Sequence, residues 1–525
     1  MQEIYSSINM RGSVLNRIRS FKPSPISLVI AISAIVKFAL HMYIAPGYGF
    51  FFDELYTNAL SRHLAFGYVD LPPLVPALVA FSRFLFGESL FAMHILPALA
   101  GSFTLVFACL ITKEFGGKTF AVALTALGFI AIPGLLALDS IFCYDSIDQL
   151  LLASFLFCLV RFLRTGNPRL WIVLGSLAGL ACLTKTTILF LGPGFLVALL
   201  ASKYRRDLIT PWPWIGAALF LILISPYIIW QFANHWPTLE YWQKYGSQRV
   251  YEASIQQFTI NVLIYLSPLL LPIWLIGLYR IFRRLDGVNY AFLGLLFLVT
   301  FVLLFWLHAT ARMIIEVFIP FLTSGAVFIE EIIERLRWKK WAIAVPIIYL
   351  LAVGAINIPL FLPVIPFDAL PTIVPHFKLL YQPIREFNGG LSDLPMFIGG
   401  REGWDDLTRE VAGVYNALPP EDRALAGIFA DAYAPAGAID QLGPQYGLPH
   451  AVSGSLTYYL WGPGYSWDVM IIVADRTNKM AVFFEKCEQK RVTQRVYGSS
   501  HYYIFVCRKP TVPADTIWSS VKSYR

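Results

Sequence analysis

The chain has 525 residues, 57% of them hydrophobic and 14% charged, with a net charge of +8 and a mean hydropathy of +0.61. Soluble globular domains carry roughly 25% charged residues, so this deficit excludes an ordinary soluble protein and points to a bilayer. The positive charge does not imply a nucleic-acid partner, because the basic residues sit in short clusters between apolar runs.

In chain order the elements begin with a basic stretch, Arg11 to Lys22, ahead of an apolar run. It lacks a small-residue cleavage site, so residues 1–25 are expected to form a cytoplasmic N-terminal segment leading into a retained anchor. Crossing about 30 Å of hydrocarbon takes roughly 20 residues. About eleven runs approach that length: 26–45, 90–112, 119–138, 147–163, 170–184, 186–202, 212–231, 259–279, 289–307, 313–330 and 341–360. Basic residues alternate sides across them, with nineteen on one side, such as Lys203, Arg205 and Arg206, against six on the other: Arg62, Arg83, Lys185, Lys244, Arg249 and Arg312. The rich side is cytoplasmic by the positive-inside rule, and an odd number of crossings follows.

Residues 26–360 are therefore read as a transmembrane domain with a first outer loop at 46–89. Pro363, Pro366, Pro371, Pro375 and Pro383 then mark a linker, since proline cannot continue a helix. The short runs "AGIFADA", "VMIIVAD", "AVFFEK" and "YYIFVC" predict an α/β domain over 361–525, placed outside the cytoplasm by the odd span count. Cys487 and Cys507 fall in that domain, where oxidation is permitted; paired and free states both stay open. Cys109, Cys143, Cys158 and Cys182 fall in or beside spans and read as small apolar packing residues. No spacing suggests zinc.

The first outer loop is too polar to cross the bilayer and too apolar for a free loop, so two amphipathic stretches in the outer interface are expected. Asp53 and Glu54 open it. A carboxylate at that depth is costly and is a functional candidate; the plainer alternative is a cap on the helix starting near Leu55. Lys37 and His41 lie four residues apart on one face of the first span, where Lys37 either snorkels or reaches the same acidic site. The second outer loop carries Asp139, Asp145 and Asp148, and solvated capping acids are the competing explanation. Lys185 lies at the outer surface among apolar neighbours, and His308 and Arg312 sit at another outer junction. Cations that could stabilise a departing phosphate, a carboxylate base and aromatic faces for sugars suit a phosphate-linked sugar substrate. Any one of these cations alone reads as an interface anchor.

The stretch "DELYTNALSRHLAFGYVDLPPLVPAL" resembles the first outer loop of bacterial membrane glycosyltransferases related to protein O-mannosyltransferases and lipid A aminoarabinose transferases, the GT-C, family 39-like group. The matching residues are Asp53, Glu54, Tyr56 and Pro72-Pro73. "RTGNPRLWIVLGSLAGLACLTKTTILFL" resembles the family's lysine-bearing segment and puts Lys185 at its lysine. "GIFADAYAPAGAIDQLGPQYGLPHAVSGSLTYYLWGPG" resembles the C-terminal module of one branch. The resemblance implies a GT-C integral-membrane helical bundle with an extracytoplasmic α/β domain, in a bacterial inner membrane. It implies Asp53 as catalytic base, Glu54 shaping the site, and Lys185 on the phosphate of a polyprenyl-phosphate sugar donor. Asp145, Tyr56, Arg62, His308, Arg312 and Lys37 complete the candidate substrate-binding set. The acceptor would be a lipid, a glycan or a protein. A divalent metal beside Asp53, Asp145 or Asp148 stays an open alternative that no ligand spacing demands. The rival function is a transporter or flippase of lipid-linked sugars, disfavoured because charges gather on one outer face rather than deep in several spans.

Overall fold

The computed structural model describes residues 23–248, 255–285, 287–307, 309–377, 394, 396–475, 479–493 and 501–524. Ser24 accepts a hydrogen bond from the Ser27 N–H at 3.1 Å and Pro25 opens α1 (Pro25–Ile44), satisfying a first-turn donor and pre-setting the backbone for a helix. The first long loop contributes α2 (Phe52–Arg62) and α3 (Leu74–Phe86). The bundle continues with α4 (Ile95–Glu114), α5 (Thr119–Ile130), α6 (Pro133–Asp139), α7 (Tyr144–Thr165), α8 (Leu170–Cys182), α9 (Thr187–Ala201) and α10 (Pro211–Ala233). After α11 (Pro237–Gln248) come α12 (Ile255–Leu266), α13 (Leu271–Ile281), α14 (Ala291–Trp306), α15 (Ile319–Arg335) and α16 (Ala344–Phe361).

Among the described residues, five helices are long and apolar enough to cross a membrane, and up to eight qualify if each of three bent pairs is one span. The expected count of about eleven is not reached on length and composition. The runs at 170–184 and 289–307 fold into helices of 13 and 16 residues, shorter than a perpendicular crossing needs. The chain also bends by 64° between α5 and α6, where Pro133 lacks the N–H that would continue the helix. A second break, of 78°, falls at Pro268. Outward faces stay apolar: Ile32, Ile35 and Val36 on α1 and Leu221, Ile222 and Ile229 on α10 are exposed, as lipid-facing helices require. Helices approach closely at small residues. A Cβ on Gly175 of α8 would lie 2.1 Å from the Gly216 carbonyl oxygen of α10, so neither position tolerates a side chain without separating the pair.

The C-terminal residues add α17 (Trp404–Asn416), β1 (Ala426–Ala430), α18 (Tyr433–Leu442), β2 (Ala451–Val452), β3 (Val469–Ala474), β4 (Phe484–Val492) and β5 (Tyr503–Pro510). The strands form one sheet in the order β2-β1-β3-β5-β4. β2, β1 and β3 run parallel, and β5 and β4 pair antiparallel. β1 and β3 are fully buried, matching their continuous apolar sequences. Of the expected runs, "AVFFEK" starts as a 3₁₀ turn and becomes strand only at Phe484. Cys487 and Cys507 face each other across β4 and β5 and are joined by a disulfide. One buried apolar cluster includes both Leu55 and Tyr56 of the first loop and Ile428, Ala436 and Ile439 of the C-terminal segment.

Candidate active site

The site begins at the N-terminus of α2. Every residue from Phe52 to Ser61 is buried. The expected amphipathic helix in the interface is therefore a covered helix, because α18 packs on it from the C-terminal segment. Its two acids have different fates. Glu54 is 0% exposed and its oxygens are occupied: Oε1 accepts from the Phe142 N–H at 2.6 Å and lies 2.7 Å from His94 Nε2, while Oε2 accepts from the Phe51 N–H at 2.9 Å. It buckles the first loop, the start of α4 and the second loop together. Asp53 keeps 9% exposure, and its Oδ1 accepts a hydrogen bond from the Tyr433 hydroxyl at 3.1 Å. Burial pushes its carboxyl up to about 7; Arg312 and the Tyr433 hydroxyl pull the other way, while Asp145 and Asp70 add to the rise. A carboxyl titrating near neutrality is suited to general-base work.

Next to it lies a cluster of cations and acids from several elements. Lys185, in the turn between α8 and α9, sits 2.5 Å from Asp145 Oδ1, and Arg312 Nη1 sits 3.4 Å from Asp145 Oδ2. Both cations flank the Tyr144 ring, at 5.2 and 6.0 Å from its centroid. Lys185 is thus not alone among apolar neighbours, because chain folding brings the second loop's acids to it. Asp145 and Asp148 are 1% exposed, so they are not solvated loop acids. Asp148 Oδ1 accepts from the Thr184 hydroxyl at 3.3 Å. Glu316, which the sequence reading missed, is buried within electrostatic reach of Lys185 and Asp145.

Other candidates stand apart. Lys37 does not snorkel: it forms a buried ion pair with Asp139 at 2.8 Å, and both side chains are almost wholly covered. Arg62, at the far end of α2, pairs with Glu88 at 2.8 Å near the surface. The Tyr56 hydroxyl donates to Asp70 Oδ1 at 2.7 Å and accepts from the Thr457 N–H at 3.2 Å; burial raises Asp70 to about 6. His308 and Arg249 lie outside the described residues. The donor set does not fit a divalent metal, since both Asp145 oxygens face cations and no group of three His, Cys, Asp or Glu side chains gathers closely enough among the described residues. Two further residues escaped the sequence reading. Tyr433 lies 380 positions from Asp53, with no local signal linking them. Arg401 donates to Ser140 O at 2.7 Å and to Gly49 O at 3.3 Å, clamping both loops.

A family model described as dolichyl-phosphate-mannose-protein mannosyltransferase matches residues 70–230. A lipid A galacturonosyltransferase, RgtD of Rhizobium johnstonii, is 27% identical over 250 residues, 45% of this chain and 50% of the relative. The chain spans about half the length of that curated relative. Crystal structures of ArnT from Cupriavidus metallidurans share the fold at 14% identity, each with a TM-score of 0.57. The form bound to undecaprenyl phosphate covers 91% of this chain and 97% of its own; the apo form covers 94% and 98%. These matches support a GT-C, family 39-like glycosyltransferase resemblance and an ArnT-like helical fold.

Proposed function

We propose that the protein transfers a sugar from a polyprenyl-phosphate donor to a hydroxyl of a lipid, glycan or protein at the outer face of a bacterial cytoplasmic membrane. In this reading residues 1–25 are cytoplasmic and 361–525 extracytoplasmic. The observation that carries it is the placement of a slightly open, near-neutral carboxyl, Asp53, beside a buried Lys185–Asp145–Arg312 cluster. Asp53 takes the proton of the acceptor hydroxyl as its oxygen attacks the anomeric carbon. The carbon–oxygen bond to the carrier phosphate breaks on the opposite side, and the electron pair leaves with the phosphate. The anomeric centre inverts in one displacement. Lys185 and Arg312 stabilise the growing phosphate charge, which takes over part of their contact with Asp145. Glu54, with its oxygens already engaged, holds the loops that set Asp53 in place.

The test is glycolipid mass spectrometry of cells with and without the intact gene, followed by complementation with Asp53→Asn. The reading requires a glycosylated product that disappears with the gene and is not restored by the variant. Restoration by Asp53→Asn would overturn the assignment of the base. Unchanged products with altered sidedness of a lipid-linked sugar would favour a flippase instead.

A further inference from the structure

We propose that the C-terminal segment completes the active site by supplying Tyr433, a positioning residue that holds one oxygen of Asp53 and leaves the other turned to the acceptor. The catalytic meaning of this inference rests on the function proposed above, but the contact itself can be tested without it. Tyr433 opens α18, directly after β1 and a two-residue connection. Its hydroxyl donates to Asp53 Oδ1 at 3.1 Å. Among the described residues, no other side chain or backbone group hydrogen-bonds the Asp53 carboxylate. A single donor on one oxygen restricts the rotation of a carboxylate and favours its charged form.

The hydroxyl is held in place by its surroundings. The Tyr433 ring lies 4.9 Å from the Tyr56 ring and 6.4 Å from Phe52, centroid to centroid. Both partners belong to the helix that carries Asp53. One turn further on, α18 meets α2 backbone to side-chain-free backbone: a Cβ on Gly437 would fall 2.8 Å from the Leu55 carbonyl carbon. Asn58 of α2 donates to Gln441 of α18, and Thr457 ties Tyr56 from the same segment. Contacts at Tyr433, Gly437 and Gln441 follow the i, i+4, i+8 face of one helix. That face is matched to α2, so the distance from Tyr433 to Asp53 is set by the docking of two helices nearly four hundred residues apart in sequence. A ring that merely filled space would need no hydroxyl at this point.

The experiment is infrared titration of the full-length protein in nanodiscs. The Asp53 carboxyl band is the one lost in Asp53→Asn. Arg312, Asp145 and Asp70, the other charged groups that act on Asp53, are the same in every variant compared. Tyr433→Phe removes only the hydroxyl and should raise the Asp53 midpoint by about one pH unit, from near 7. Gly437→Ala keeps the hydroxyl but wedges the helices apart, and should shift the midpoint in the same direction. In a transfer assay, Tyr433→Phe should lower kcat about fivefold at pH 7, with little change in KM and recovery at higher pH. An unchanged or lowered midpoint in folded Tyr433→Phe overturns the proposal, as does the absence of any Asp53 band titrating between about pH 5 and 9. Full transfer activity in Asp53→Asn sinks the functional reading instead, and leaves the infrared result to judge the contact.

Discussion

At the scale of single residues, the largest physical effect is the removal of a carboxylate from water. Asp53 titrates near 7 when folded, against about 4 in an unfolded chain. The folded state therefore holds a proton that the unfolded state has released between those values. Stability falls as pH rises through that window, because an ionised Asp53 is costly to bury. Asp53→Asn should accordingly raise the melting temperature more at pH 8 than at pH 5, while lowering transfer by at least about 100-fold, the scale of a lost general base. Scanning fluorimetry at both pH values, beside a transfer assay, checks the pair; equal stabilisation at both would contradict the buried, neutral-range carboxyl. Lys185 gives a second residue-scale expectation. Lys185→Met keeps the stem and deletes the charge, and should weaken binding of the proposed polyprenyl-phosphate donor by about tenfold or more, the worth of one charge-assisted hydrogen bond. Lys185→Arg should restore it only in part, because a planar fork does not replace a compact ammonium. Affinity unchanged in the Met variant would remove Lys185 from the site. Asp53 and Lys185 were legible because an acid or a lone cation amid apolar residues is conspicuous. Tyr433 was not, because a tyrosine in a strand–helix turn has many ordinary explanations and its partner is 380 positions away.

At the scale of elements, local pattern and tertiary context part company. The sequence points to a helix starting near Leu55, and a helix forms over Phe52–Arg62. It does not reveal that both faces are buried, since the cover comes from α18. The same holds for Lys37. Its position in the first span was plain, yet its partner Asp139 belongs to α6, a short helix that exists because Pro133 breaks the preceding one. The pair, together with the 3.2 Å contact between His41 Nε2 and the Leu136 carbonyl oxygen, pins α1 to the segment that leads into the second loop. Breaking one side of a buried ion pair strands the other charge and costs about 3–5 kcal/mol, whereas removing both can be close to neutral. Asp139→Asn should therefore destabilise strongly, and Lys37→Met/Asp139→Asn should recover most of the loss. Thermal unfolding of the two variants in one detergent measures this. A double variant as unstable as the single one would show that α1 is held by something other than this pair.

At the scale of the whole molecule, helix length alone does not fix the path through the bilayer. Among the described residues five to eight helices qualify as spans, so length by itself does not set the parity of crossings. Charge is the stronger determinant. Lys113 and Lys118, Arg161 and Arg164, Lys203 to Arg206 and Arg280 to Arg284 all lie at ends of bundle helices, and short basic connections resist translocation. Asp53, Lys185, Arg312 and Tyr433 meet at the opposite end, where the C-terminal segment docks through Tyr433 and Arg401. A disulfide between Cys487 and Cys507 is the state expected in an oxidising compartment, as the proposed orientation requires. An enzymatic reporter fused after Pro366 should therefore be active only outside the cytoplasm. In intact cells, Cys487 and Cys507 should resist alkylation until a reductant is added. A reporter active in the cytoplasm, together with free thiols at both positions, would require an even number of crossings. It would then place Asp53, and the chemistry built on it, on the inner face of the membrane.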